Sequence, residues 1–455
     1  MRTLIALLLL LAAAPLPADD VLSASVDKAV NEILARTGAP SASVAVVRDG
    51  KLVYANAYGF AKLEPKTPAT PQMRYSIGSI SKQFTAAAIL MLAEEGKLSL
   101  DDKVVRWLPE LTRAKDVSIR QLLSMTSGYQ DFWPQDYVMP GMLEPATAQQ
   151  IAETWAKKPL DFEPGTRWQY SNTNYVIAGM IFERAAGMPL VDFLRQRVFT
   201  PLQMTSVFNT DLAPLPPGDP VRYLRYALGP LRPAPKEGKG WMFAAGELAM
   251  TAQDLAKWDM AMINESLLQP ASYREMEREV LLAGGNGTHY GLGVSVNTVD
   301  GRRLISHGGE VSGFTAQNQV YPDQRAAVAV LTNLDATSAS EQIATKIAQI
   351  VFTATDDAAL AQARTIFEGL QHGRIDRALF TSNANAYFSE QALQDFASSL
   401  GPLGTPQEFT QSAQSLRGGM TLRRYRVKFP NKTLRAWTFA MPDGKLEQFM
   451  VAAVE

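Results

Sequence analysis

The chain has 455 residues, 46% of them hydrophobic, enough for one large domain plus a smaller one, each with its own core. Its 44 basic residues balance 45 acidic ones, so the net charge of −1 gives no electrostatic reason to expect nucleic acid or an anionic membrane as partner. The lack of cysteine excludes thiol catalysis, disulfides, Cys-ligated zinc, iron–sulfur clusters and a lipid anchor on an N-terminal Cys, and the three histidines (His289, His307, His372) form no close pair for a His-rich metal site.

In chain order, Arg2, an apolar run over 4–14 and Pro15-Leu16-Pro17-Ala18 read as a signal peptide cleaved after Ala18. The run is too short for a bilayer core of about 30 Å. No stable membrane anchor is therefore expected, an uncleaved anchor being the competing reading, and the product is expected to be periplasmic or secreted. Residues 26–36 read as a helix closed by Gly38. Two β-rich runs, 43–48 and 52–58, meet at Asp49-Gly50, a hairpin signal. Between 82 and 95 the spacing of Phe84, Ala87, Ala88, Met91 and Leu92 is helical, with Gly96 where a C-terminal cap belongs.

Further helices are predicted over 119–124, 148–157, 174–186, 190–198 and 252–264, and Pro and Gly crowd 213–240 into an expected surface loop. Strands return at 291–299, 303–306, 315–321 and 326–333, followed by a helix over 338–352. Strands at both ends with helices between predict one antiparallel sheet faced by helices, an α+β layout. The composition shifts near 353–358. After it come a helix over 359–371, polar turns, and strand-like runs at 422–429, 434–441 and 446–454. The expected division is a signal peptide over 1–18, a main domain over 19–355, and a small α+β domain over 356–455. The latter's helix followed by curved strands resembles a cystatin-like or NTF2-like module. No repeats or low-complexity tracts occur.

Ser79-Ile80-Ser81-Lys82 places a serine and a lysine three positions apart at a helix start, on one helical face. Lys82 can then reach the Ser79 hydroxyl, which is a weak nucleophile until a neighbour takes its proton. A desolvated lysine with a depressed pKa does this, and the helix N-terminus favours negative charge near Ser79. Alone, this tetrapeptide is weak evidence, because an N-cap serine followed by a solvated lysine is common. Tyr170-Ser171-Asn172 adds a phenol able to shuttle protons and an amide able to bond Lys82 and a substrate carbonyl. His307-Gly308-Gly309, expected between two strands, lets backbone approach a ligand closely. The amides of Glu310 and Ser79 are candidates for an oxyanion hole.

In order and approximate spacing, Ser79-x-x-Lys82, Tyr170-x-Asn172 and His307-x-Gly309 resemble the three motifs of serine β-lactamases and penicillin-binding proteins. The tyrosine of the second motif looks like the branch of class C β-lactamases, DD-carboxypeptidases and family VIII esterases. The resemblance runs from about residue 25 to 352. It implies an antiparallel sheet flanked by helices with an all-helical subdomain, and the site at their junction. It also implies acyl-enzyme chemistry on Ser79 with Lys82 and Tyr170 in proton transfer, either one as general base, with Asn172, His307, Gly309 and Glu310 binding substrate. Two departures stand out. Met125-Thr126-Ser127-Gly128 replaces a loop often written His-Thr-Ser-Gly, and His307 stands where β-lactamases usually carry lysine. A histidine, with an unperturbed pKa of about 6.5, supplies no permanent cation for a substrate carboxylate. An ester or D-amino-acid peptide thus ranks ahead of a β-lactam, although some carboxypeptidases of the family also use histidine there.

Two rival readings fit the sequence less well. A Ser–His–Asp hydrolase lacks its G-x-S-x-G elbow. A catalytically idle sensor or binding protein would ordinarily have lost Ser79 or Lys82. Tyr129, Phe132, Trp133, Tyr137, Trp241, Phe243 and Phe314 are candidates to line an apolar cleft, or simply to pack. Glu247 and Asp254 read as surface or capping residues, His372 as a helix C-terminal residue, and Arg417-Gly418-Gly419 as a turn. The reading is a serine hydrolase without cofactor, acting on a small-molecule or peptide substrate, with no nucleic-acid partner. Nothing in the sequence speaks to oligomeric state.

Overall fold

A computed structural model describes residues 18–133 and 140–454. The expected signal peptide therefore lies outside the described residues except for Ala18, as does Tyr137. The first helix, α1 (Ala18–Thr37), leads into strands β1 (Ser41–Arg48), β2 (Lys51–Leu63) and β3 (Lys66–Pro68). Asp49 (φ 53°) and Gly50 (φ 73°) supply the two left-handed positions that a tight hairpin between right-twisted strands demands. Three helices dominate the middle: α2 (Ser81–Glu94), α3 (Asn172–Ala186) and α4 (Ala252–Asn264). Strands β4 (Ser295–Val299), β5 (Arg302–Val311), β6 (Phe314–Tyr321) and β7 (Ala326–Thr332) follow.

These seven strands form one antiparallel sheet in the order β3-β2-β1-β7-β6-β5-β4, with Val44 opposite Val330. The two ends of this region thus pair side by side, as the sequence pattern predicts. Strand β1 is buried on both faces, which is why it reads as a continuous apolar run. Ala45 and Val47 enter a large core with α2, α3 and α4, while Val44 and Val46 enter a second core with Val26 and Ile33 of α1 and Ile343 and Ile347 of the helix after β7. The result is a helix–sheet–helix sandwich with helical segments stacked on one side.

Several expectations are corrected. The helix after β7, α5, runs unbroken from Ala339 to Gln371 instead of stopping near 353–358. That stretch contains no Gly or Pro to break it. Its first half belongs to the second core and its second half (Ile366, Phe367, Leu370) to a third. The third core also holds α6 (Glu390–Leu400) and a four-stranded antiparallel sheet in sequence order: β8 (Glu408–Arg417), β9 (Met420–Lys428), β10 (Thr433–Ala440) and β11 (Leu446–Ala453). Strand β8 reads as polar turns because Phe409 is its one buried residue and a bulge between Gln411 and Ala413 breaks the two-residue period. Arg417-Gly418-Gly419 does form a turn, with both glycines at positive φ. The loop over 213–240 contains a short hairpin, Tyr223–Leu224 with Arg232–Pro233. No helix among the described residues is long and apolar enough to cross a membrane.

Candidate active site

Helix α2 runs through the large core with Ser81 to Leu92 all buried. A 3-10 turn, Gly78–Ile80, precedes it, so Ser79 sits in that turn and not on the α-helix itself. Strand β5 lies directly against the turn. A Cβ on Gly309 would stand 1.9 Å from the Ile77 carbonyl oxygen and 3.3 Å from the Ser79 nitrogen. A Cβ on Gly78, where φ is +51°, would stand 2.7 Å from the Glu310 nitrogen. Two glycines thus let two backbones touch, and the touch brings the Ser79 and Glu310 amides to one place. His307-Gly308-Gly309 is therefore not a link between strands; it lies within β5, paired to Asn318, Gln317 and Ala316 of β6.

Lys82 is fully buried. Its Nζ lies 2.9 Å from Ser79 Oγ, 2.8 Å from Asn172 Oδ1 and 2.8 Å from the Ala245 carbonyl oxygen. Burial pulls its pKa down to about 7, against the opposing pull of Asp131. The two carbonyl oxygens can only accept. When Lys82 is neutral, its two N–H bonds satisfy them, and the nitrogen lone pair is left facing the Ser79 hydroxyl. The same geometry serves the ammonium form, which donates to all three. The site is thus shaped to pass one proton between Ser79 and Lys82.

Tyr170 is partly buried, hydrogen-bonds Ser79, and lies with its ring centroid 5.1 Å from Lys82 Nζ. Burial raises its phenol above the ordinary range and outweighs the Ser79 bond. Tyr170 consequently rests as a neutral phenol, able to relay a proton without holding a negative charge. His307 is buried, and burial followed by the nearby Lys82 charge lowers its pKa to about 4. Its Nδ1 donates to the Gly308 carbonyl and its Nε2 lies 2.9 Å from the Tyr290 hydroxyl. Both ring nitrogens are engaged by the chain, so the ring forms cavity wall and offers neither a cation nor a free donor.

The cavity above Ser79 measures about 440 Å³. Ser79, Tyr170, Asn172, His307, Gly309 and Glu310 all line it, so every residue singled out by motif except buried Lys82 faces one space. Of the candidate aromatics, Phe132, Trp133 and Trp241 line it as well. Tyr129 is buried and donates to the Thr112 carbonyl, Phe314 packs edge-on against Tyr75, and Phe243 packs against Gly179. The charged side chains lining the cavity are Asp131, Glu310 and Glu341; among the described residues no Lys or Arg side chain lines it.

Three features escaped the sequence pattern. Asp131 accepts from the Asn172 backbone N–H at 2.8 Å and contacts the Asn172 side-chain amide at 3.3 and 3.4 Å. Its partner is 41 residues away, so no spacing signals it. The Ala245 carbonyl is backbone and leaves no mark on side-chain identity. Glu247, expected at the surface or in a cap, is buried and accepts from the Ala244 N–H and the Asn209 side chain, holding the segment that presents Ala245. Asp254 is buried in the first turn of α4, where Thr251 caps its N–H and Asp254 itself bonds Ser206. His372 does end α5, with Nδ1 on the Glu368 carbonyl.

The beta-lactamase family model matches residues 26–352. Penicillin-binding protein 4* of Bacillus subtilis (strain 168) is 30% identical over 327 residues, spanning 68% of this chain and 71% of that protein. A D-aminopeptidase of Brucella anthropi is 29% identical over 68% of this chain, but the match spans only 59% of that enzyme. Among solved structures, an octameric penicillin-binding protein homologue from Pyrococcus abyssi superposes with a TM-score of 0.64 at 22% identity, covering 95% of this chain and 96% of that one.

Proposed function

The chain belongs to the beta-lactamase family, and from that premise we propose that it is a hydrolase working through an acyl-enzyme on Ser79. The arrangement around Lys82 Nζ carries this reading: two carbonyl oxygens hold its N–H bonds and leave the third position for Ser79 Oγ. Neutral Lys82 takes the Ser79 proton as Oγ attacks a carbonyl carbon. The new oxyanion sits between the Ser79 and Glu310 amides, whose donors cost no reorganisation as charge develops. Tyr170 relays the proton toward the leaving group. Water then repeats the sequence and frees the acid. Residues 19–355 supply this machinery, and 356–455 form an appended unit that shares α5 with it.

The substrate proposed is an ester or amide whose acyl part carries no carboxylate. His307 is neutral with both nitrogens engaged, and Asp131, Glu310 and Glu341 ring the cavity. That field disfavours an anion and favours an ammonium group, which fits a D-aminopeptidase such as the Brucella anthropi relative. A panel of p-nitrophenyl esters, D-amino-acid p-nitroanilides and nitrocefin tests this. The expected order of kcat/KM puts the free-amine D-amino-acid substrates first and nitrocefin last; nitrocefin turned over faster than any ester or anilide overturns it. Labelling by a fluorophosphonate probe is expected in the native protein and absent in Ser79→Ala. An unlabelled native protein would leave only a binding protein.

A further inference from the structure

We propose that Asp131 is a positioning residue of this site: from a separate loop it caps helix α3 and turns the Asn172 carboxamide so that Oδ1 faces Lys82. This rests on the acyl-enzyme reading above. The N-terminus of α3 lacks the cap its own sequence offers. Ser171 stands at the N-cap, yet makes no capping side-chain bond, and its Oγ is buried without a partner. Asp131 does the work instead, taking the Asn172 N–H on Oδ1 at 2.8 Å. A cap from a distant loop ties two segments together that a local cap would leave independent.

The same carboxylate decides which way Asn172 points. Oxygen and nitrogen of a carboxamide are nearly the same size, so orientation follows the neighbours. Asp131 can only accept, and it lies 3.3 and 3.4 Å from Asn172 Nδ2. The amide nitrogen is held there, and Oδ1 is left 2.8 Å from Lys82 Nζ. With the amide reversed, two donors would face Lys82 and the lone-pair geometry at Ser79 would be lost. Asp131 is also the acidic group whose charge acts on Lys82 and favours its ammonium. The other groups facing Lys82 are the phenols of Tyr170 and Tyr175, both rings within 5.5 Å of Nζ, and the neutral ring of His307 on β5. Asp131 is thus the negative charge in that shell above about pH 6, since burial pushes its own carboxyl up to about 6.

The test is the pH dependence of fluorophosphonate labelling of Ser79 in the intact protein, with Tm measured beside it. Asp131→Asn presents a donor to Asn172 and removes the charge. Labelling is expected to slow about tenfold or more, and its acidic limb to move down by about half a pH unit or more as Lys82 gives up its proton more readily. Asp131→Glu keeps the charge, so its labelling slows while the limb stays near the native one. If both variants keep the native limb, or both lose rate only in proportion to a lowered Tm, Asp131 is a mere structural cap and the proposal fails. Should Asp131→Asn not fold, Asp131→Ser takes its place with the same expected limb. An unlabelled native protein is a different outcome: it removes the acyl-enzyme reading and this proposal with it.

Discussion

Two surfaces of antiparallel strand in this molecule are built on opposite terms. Where β5 meets the turn bearing Ser79, backbone lies on backbone, and Lys82 behind it is buried with three hydrogen-bond partners. On the outer face of the C-terminal sheet, Arg424, Arg426, Lys428 and Arg435 stand exposed, and Arg426 is directly opposite Arg435 with no ion pair to either among the described residues. Residues 405–455 hold eight basic and four acidic side chains, so the whole-chain net charge of −1 hides a basic end and an acidic remainder. The contrast shows where substitution is costly. A methyl group on Gly309 would displace the backbone that carries Ser79, whereas a charge changed on the open face, where Arg426 stands between Thr410 and Arg435, stays at the water boundary.

The sharpest way to break that contrast is at Lys82. Lys82→Arg keeps the charge but cannot release a proton in the accessible range. Turnover of a p-nitrophenyl ester is expected to fall by about 10³-fold or more. In the native protein kcat/KM should rise with pH through about 7, as buried Lys82 loses its proton. Retained turnover in Lys82→Arg, or a flat profile from pH 6 to 8, would reduce Lys82 to an electrostatic neighbour.

Next come two adjacent glycines whose fates should differ. Gly309→Ala drives a Cβ to within 1.9 Å of the Ile77 carbonyl oxygen, so β5 must back away from the Ser79 turn. About a hundredfold loss in kcat/KM is expected, with destabilisation of about 1–3 kcal/mol from overpacking. At Gly308 the nearest atom to an added Cβ is Gln317 Oε1, 3.3 Å away at the end of a flexible side chain. Gly308→Ala should therefore keep its Tm and lose only a few-fold in activity. Equal losses at both positions would mean that the tight backbone contact is not what aligns the site.

Asp259 sharpens the buried side of the comparison through stability. It is fully buried on α4 and takes the Asn318 side-chain N–H on one oxygen, while the other has no partner. Trp258 bonds Gln83, which bonds Asn318, so the chain of contacts ends on Asp259 behind α2. Burial raises its pKa from 3.8 to about 8. A raised carboxyl pKa means that the folded state binds the proton more tightly, so this stabilising contribution is full below about pH 4 and is lost as pH rises through about 8. Buried Lys82 acts in the opposite sense: its depressed pKa lets stability rise with pH above about 7. Asp259→Asn mimics the protonated form, so its Tm should fall less than the native Tm between pH 5 and pH 9. Parallel Tm curves would show that Asp259 is already ionised in the fold.

Legibility in the sequence follows the same division. The sheet paired from both ends of the region, the Asp49-Gly50 hairpin and helix α4 over 252–264 were readable because period and turn chemistry are local. Ser79, Lys82, Tyr170 and Asn172 are readable as a candidate site because their side-chain types recur at fixed spacings, and the cavity gathers Ser79, Tyr170 and Asn172 over Lys82. What remained hidden acts through backbone or across long separations: the Ala245 carbonyl, the Asp131 cap and the clash that makes Gly309 obligatory. His307 was legible as a histidine in place of a lysine, but the Tyr290 partner that occupies its Nε2 was not. Strand β8 and the unbroken α5 are not legible because a bulge erases one period and a polar stretch imitates a helix end.

The smallest effect belongs to the open face. Arg426 and Arg435 are direct cross-strand neighbours, a pairing that costs a few tenths of a kcal/mol when both are charged. Reversing one charge turns repulsion into attraction, but the two choices are not equivalent. Arg435 also lies over the Trp437 ring, 5.6 Å from its centroid, and Arg435→Glu gives that contact up. Arg426→Glu keeps it, so Arg426→Glu should stabilise by about 0.5 kcal/mol and Arg435→Glu by less. Both should leave kcat/KM for a neutral ester unchanged, since neither touches the cavity. Urea unfolding of the two single variants and the double reversal gives the coupling between the arginines directly. A coupling near zero would mean that solvent screens the pair completely. A change in ester turnover would mean that the two surfaces are joined through α5 more tightly than their separate cores suggest.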